Sequence, residues 1–115
     1  MAELILYVDA NFGGLHTHLF DSTPHFSQLA FGGVGTGIAG NWNDRVSSFI
    51  IVSGTWQFFK DEGWKSLQGP IEGLGPGHYN SVTAVGIDND ALSSVKLEQD
   101  SNRLNQKRIP ISLGL

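Results

Sequence analysis

Apolar residues along this chain come in short runs, each closed by glycine or by a cluster of polar residues. No stretch carries the stripe of an amphipathic helix, and short punctuated runs of this kind are the mark of strands. The pattern predicts strands at Leu4–Asp9, Leu15–Phe20, Val46–Val52, Thr55–Lys60, Trp64–Gln68 and Leu92–Glu98. Val52-Ser53-Gly54-Thr55 reads as a tight connection between two of them. Gly73-Leu74-Gly75-Pro76-Gly77 cannot propagate a helix and reads as a turn leading into His78-Tyr79. Long helices are not expected, although a short helical turn can precede either of the Asn-Asp pairs described next.

The strand pattern repeats. Asn43-Asp44-Arg45-Val46-Ser47-Ser48 and Asn89-Asp90-Ala91-Leu92-Ser93-Ser94 share the form Asn-Asp-x-(apolar)-Ser-Ser, 46 residues apart. Tyr7 and Phe12, followed by Gly14, match Phe59 and Trp64, followed by Ser66, at an offset of 52. The first half therefore has a connector six residues longer, placed within 21–42. That segment contains the run Phe31-Gly32-Gly33-Val34-Gly35-Thr36-Gly37, read as a mobile insertion. Each all-β half alone would leave an apolar sheet face in water, so two halves packed face to face form the stable unit, a β-sandwich.

At 115 residues the chain has room for one domain. Fifteen glycines and only 16% charged residues fit many turns between short strands, and three Trp, seven Phe and two Tyr supply bulky core. Trp42, Trp56 and Trp64 are assigned to core or corner packing. With no cysteine there is no disulfide framework, thiolate site or thiol nucleophile, and either redox compartment is compatible. A formal charge of −4 and the lack of a basic stripe argue against nucleic acid. The segment Met1–Asp9 has no positive leader region and too short an apolar run for a signal peptide or a membrane span.

No nucleophile elbow places a Ser-His-Asp set, and no Lys-Ser/Thr pair follows Gly32–Gly37 as a phosphate loop would require, so no enzyme is read here. His16 and His18 alternate in a strand and share a face, as a Zn²⁺ or Cu²⁺ pair would, but no third ligand has recognisable spacing. They are assigned to a solvated strand face, and His25 and His78 to surface or turns.

Tyr7-x-x-x-x-Phe12-x-Gly14 followed by the first Asn-Asp-x-x-Ser-Ser resembles the Greek key of the βγ-crystallin family. Phe59-x-x-x-x-Trp64, then Leu74-Gly75-Pro76-Gly77-x-Tyr79 and the second Asn-Asp-x-x-Ser-Ser, is similar to the family's second key. The resemblance covers residues 3 to 97 and is greatest to the calcium-binding, single-domain members found largely in microbes. It implies an all-β fold of two Greek keys, the first about 3–54 and the second about 55–97. The tail, 98–115, has no counterpart and no implied role. Its Ile109-Pro110-Ile111-Ser112-Leu113-Gly114-Leu115 is suited to add an edge strand or reach a neighbour. Ser66 departs from the family's hairpin glycine. Where φ is positive a serine costs about 1 kcal/mol or forces another turn, so a distorted second hairpin is expected.

The resemblance also implies about two Ca²⁺ ions. Asp44 with Ser47, and Asp90 with Ser93, would donate side chains, while Arg45 and Ala91 would give backbone carbonyls. Val8 and Lys60, each following a hairpin's first aromatic, would give another carbonyl. The apolar fourth positions, Val46 and Leu92, would plug into the core and hold the loops. Such ligands suit a cation that takes six to eight oxygens at about 2.3–2.6 Å. One carboxylate per loop is a low charge count, and dissociation constants on the order of 10⁻⁵ to 10⁻³ M follow. Lys60 and Arg45 add positive charge beside the sites. The other function class open to this sequence is a carbohydrate- or protein-binding β-sandwich in which calcium is absent or only structural.

Overall fold

The computed structural model describes residues 2–30 and 40–99, and the statements below concern these. Seven strands run in chain order: β1 (Glu3–Asp9), β2 (Gly13–Leu19), β3 (Ser48–Ser53), β4 (Thr55–Asp61), β5 (Lys65–Gln68), β6 (Gly77–Tyr79) and β7 (Ser94–Gln99). The only helical pieces among them are single 3₁₀ turns at Ala10–Phe12, Phe26–Gln28 and Val82–Val85. The last of these precedes the second Asn-Asp pair. None is long or apolar enough to cross a membrane.

Two antiparallel sheets result, one in the order β2-β1-β3-β6 and one in the order β5-β4-β7. Strand alternation builds the core between them. Leu4 and Leu6 on β1, Phe49 and Ile51 on β3, and Trp56 and Phe58 on β4 all face inward and are buried. Phe49 and Phe58 meet across the sandwich with ring centroids 4.6 Å apart.

The halves exchange edges. β6, from the second half, pairs with β3 of the first half through Ile50↔His78 and its neighbours. In return Thr23, from the first half, bridges Val95 on β7. The N–H groups of Thr23 and Val95 donate to each other's carbonyls at 2.9 and 3.0 Å. β6 is absent from the predicted strands because Gly77-His78-Tyr79 is too short to show alternation. It is held by Tyr79, whose ring stacks on Phe49 at 4.8 Å and whose hydroxyl donates to the Gly75 carbonyl at 2.7 Å. Burial holds that hydroxyl's pKa above its ordinary value.

Two predicted strands start two residues too early, and a third, at Trp64, one residue ahead of β5. β3 begins at Ser48 and β7 at Ser94, not at Val46 and Leu92. The loops keep those two apolar residues, both fully buried, as plugs set into the core. Trp42 and Trp56 are fully buried as expected, while Trp64 is 38% exposed at the second hairpin's corner. The long connector is not loose throughout its described part: Phe26 and Trp42 are fully buried and Ala30 bridges Asn41. The glycine run predicted as mobile (Gly32–Gly37) and the tail residues 100–115 lie outside the described residues. β3 and β4 are joined through Gly54 alone, at φ 91°, where a Cβ would stand 2.9 Å from the Ala2 methyl.

Candidate metal centre

Each half folds its first two strands into a hairpin with the same left-handed corner. Asn11 and Phe12 in the first lie at φ 58° and 62°; Gly63 and Trp64 in the second lie at 74° and 61°. Such corners leave backbone groups unpaired, and a buried serine meets them in each half. Ser48 Oγ donates to the Asp9 carbonyl at 2.5 Å and accepts the Phe12 N–H at 3.0 Å. Ser94 Oγ donates to the Asp61 carbonyl at 2.7 Å and accepts the Trp64 N–H at 3.2 Å. The second serine of each repeat therefore locks a hairpin. Sequence reasoning left that role unassigned, although the doubled serine was its signal.

The second hairpin is not distorted. Ser66 adopts φ 61° against 74° for Gly14, and its Oγ donates to Asp61 Oδ2 at 2.6 Å. In the first hairpin a Cβ on Gly14 would lie 2.7 Å from Asp9 Oδ2, so the aspartate itself occupies that space.

The Asn-Asp loops lie against these corners. Asp44 and Asp90 both take left-handed backbone, at φ 58° and 57°, where Asp is tolerated better than most residues. The loops are laced together across the molecule. The Asp44 N–H donates to the Leu92 carbonyl at 3.0 Å and the Asp90 N–H to the Val46 carbonyl at 3.4 Å. The Ser47 and Ser93 N–H groups donate to the Tyr7 and Phe59 carbonyls, each at 3.0 Å.

The side chains cross in the same way. Ser47 Oγ donates to Asp90 Oδ1, and Ser93 Oγ to Asp44 Oδ1, each at 3.2 Å. Carboxylate and hydroxyl thus meet between the loops rather than within one. Both serines are nearly buried, whereas both aspartates are exposed.

Beside the second hairpin this arrangement opens a cleft of about 380 Å³ lined by Asn43, Asp44, Lys60, Asp61, Glu62, Asp90, Ala91 and Ser93. It gathers Asp44, Lys60, Asp90, Ala91 and Ser93 of the predicted set. Val8, Arg45 and Ser47 hold the equivalent places beside the first hairpin. Val8 and Lys60 are skipped in the strand registers, each next to a residue whose carbonyl is already engaged. Asn43 Oδ1 is buried with no hydrogen-bond partner among the described residues, a spare acceptor on the cleft wall.

Asp61 and Glu62 were not foreseen as lining residues. Glu62 accepts the Ser27 N–H at 2.8 Å, and hydrogen bonding from the Ser27 hydroxyl first, then from that N–H, together with nearby His25, holds its carboxyl below the usual glutamate range. Among the described residues no three His, Cys, Asp or Glu side chains converge on one point. The donors on offer are carboxylate, hydroxyl, amide and carbonyl oxygens, a set that fits a hard cation such as Ca²⁺ and not a soft one.

A sequence model described as Beta/Gamma crystallin matches residues 3–97. A beta/gamma-crystallin from Ciona intestinalis is 38% identical over 96 residues, covering 84% of this chain and 98% of that protein. The structure titled as a beta gamma crystallin from the same organism superposes with a TM-score of 0.66 at 35% identity, covering 84% of this chain and 99% of its own. A structure titled as a transition-metal-ion-binding betagamma-crystallin from Methanosaeta thermophila gives a TM-score of 0.59 at 30% identity, covering 82% of this chain and 98% of its own.

Proposed function

The chain belongs to the beta/gamma-crystallin family, and we propose that its paired Asn-Asp-x-x-Ser-Ser loops bind about two Ca²⁺ ions that stabilise the fold, with no catalysed reaction. This is the calcium-binding, single-domain type of the family. The observation that carries the reading is the crossed pairing of Asp44 with Ser93 and of Asp90 with Ser47. Two acceptor-rich oxygen sets stand side by side, each drawing on both loops. The relative from Methanosaeta thermophila, named for binding transition-metal ions, supports cation binding in this family.

Crossed ligands make binding a property of the folded chain alone, because neither loop holds a complete set. A ligand of that kind stabilises by mass action, about 2.7 kcal/mol at 100 times its dissociation constant. For a small domain that is a large share of total stability. The two sites differ in charge. The cleft beside the second hairpin is lined by four carboxylates and one ammonium. The equivalent places beside the first hairpin put Ala10 where the second has Glu62, and Arg45 where it has Ala91. We assign the tighter site to the second hairpin.

Millimolar Ca²⁺ is expected to raise the melting temperature, and Asp44→Ala combined with Asp90→Ala to abolish the rise. Calorimetric titration should resolve a tighter and a weaker step, with Glu62→Gln weakening only the tighter. A melting curve unmoved by millimolar Ca²⁺ overturns the reading.

A further inference from the structure

We propose that His16 and His18 on β2, with Glu3 on β1 as the positioning carboxylate, form a separate transition-metal site for Zn²⁺ on the outer face of the four-stranded sheet. It rests on residues that take no part in the calcium reading. Alternation turns Leu19 inward, where it is buried, and leaves His16 and His18 exposed on the other face. Their ring centroids lie 5.2 Å apart. Two imidazoles sharing one tetrahedral ion, each nitrogen about 2.0–2.1 Å from it, set their centroids about 5 Å apart.

The second observation is the carboxylate. His18 Nδ1 stands 2.6 Å from Glu3 Oε2. A carboxylate on Nδ1 favours the tautomer that keeps its proton there, leaving the Nε2 lone pair for a metal. That carboxylate–histidine–metal order is the usual way a ligating imidazole is oriented. Neighbouring rings limit rotation further. Phe20 stacks on His18 at 6.4 Å and 13°, and Tyr7 packs on His16 at 5.5 Å and 31°. Register places His16 opposite Tyr7 and His18 opposite Ile5 on the paired strand, so the chelating pair sits on a braced element.

No third His, Cys, Asp or Glu completes the set among the described residues. Water fills the remaining positions, which makes the site open and solvent-facing. Imidazole nitrogens suit Zn²⁺, Ni²⁺ and Cu²⁺ and not Ca²⁺, so this face and the oxygen-lined loops select different ions.

The test is a Zn²⁺ titration of the full chain with Ca²⁺ at saturation, read by calorimetry and by the ring nitrogen resonances of the histidines. The expected result is one Zn²⁺ per chain, with the Nε2 signals of His16 and His18 moving and those of His25 and His78 still. His16→Gln and His18→Gln should each weaken binding at least tenfold, and Glu3→Gln by about 10–100-fold, the usual cost of losing an orienting partner. Asp44→Ala with Asp90→Ala should leave Zn²⁺ affinity unchanged even if it abolishes the calcium response. Unchanged Zn²⁺ affinity in either histidine variant, or its loss in the double aspartate variant, overturns the site. Wild-type affinity in Glu3→Gln overturns the positioning role.

Discussion

The two hairpins reach the same corner with different residues. Asn11 and Gly14 stand in the first where Gly63 and Ser66 stand in the second, yet every one of the four has positive φ. The conformation belongs to the fold. What differs is how each hairpin treats the space beside its last residue. The first fills it with the Asp9 carboxylate and admits no side chain at Gly14. The second admits Ser66 and turns the equivalent aspartate, Asp61, into its hydrogen-bond partner. A glycine can thus be required in one half by a neighbour's position and be dispensable in the other, although the backbone angle is shared.

The comparison can be pressed hardest at the plugs. Leu92→Ala is expected to cost about 2–5 kcal/mol. Val46→Ala, which removes fewer methyl groups from an equally buried place, should cost less, about 1.5–3 kcal/mol. Urea unfolding midpoints measure both, and equal losses would break the equivalence of the two loops. Next come the hairpin locks. Ser48→Ala and Ser94→Ala each break two part-buried hydrogen bonds, one to a carbonyl and one from an N–H, at about 1–3 kcal/mol per variant for the pair. Similar losses in thermal melts would show that the halves share one locking device.

The corner residues themselves sharpen the contrast most. Gly14→Ser must displace Asp9 and should cost about 1–3 kcal/mol as an overpacked site does. Ser66→Gly relieves a left-handed serine but loses its bond to Asp61, two effects of about 1 kcal/mol and opposite sign. Its melting temperature should stay close to the parent's. A large loss in Ser66→Gly, or none in Gly14→Ser, would reverse the account of the corners.

Much of this was legible in the residues because it rests on local pattern. Alternation at Leu4, Leu6, Phe49 and Ile51 marks strands, and the repeat at Asn43 and Asn89 marks paired loops. What was hidden depends on the other half of the chain. β6 is three residues long and is a strand only because β3 offers an edge to it. The apolar pattern alone reads Val46 and Leu92 as strand starts, since burial looks the same in a ladder or a loop; their role as loop plugs is already expected, and both are fully buried in the loops. Within the site, the family resemblance implies side-chain donors at Asp44 with Ser47 and at Asp90 with Ser93, without allotting them between the two ions. The crossing of Asp44 to Ser93 needs the loops side by side, which no local spacing encodes. Asp61 and Glu62 were missed because their place on the cleft wall follows from the turn of the hairpin and from the contact of Glu62 with Ser27.

The traded edges have a consequence for how this protein comes apart. Neither half can lift away without tearing a rung of the other's ladder, since Gly77–Tyr79 lies on β3 and Thr23 on Val95. The single-residue link at Gly54 leaves no slack for one half to swing clear. The amides of β3 and β7 should therefore exchange with solvent through one shared opening, at one free energy, as a single foldon. Two separable opening energies in native-state hydrogen exchange would mean that the duplication still behaves as two units.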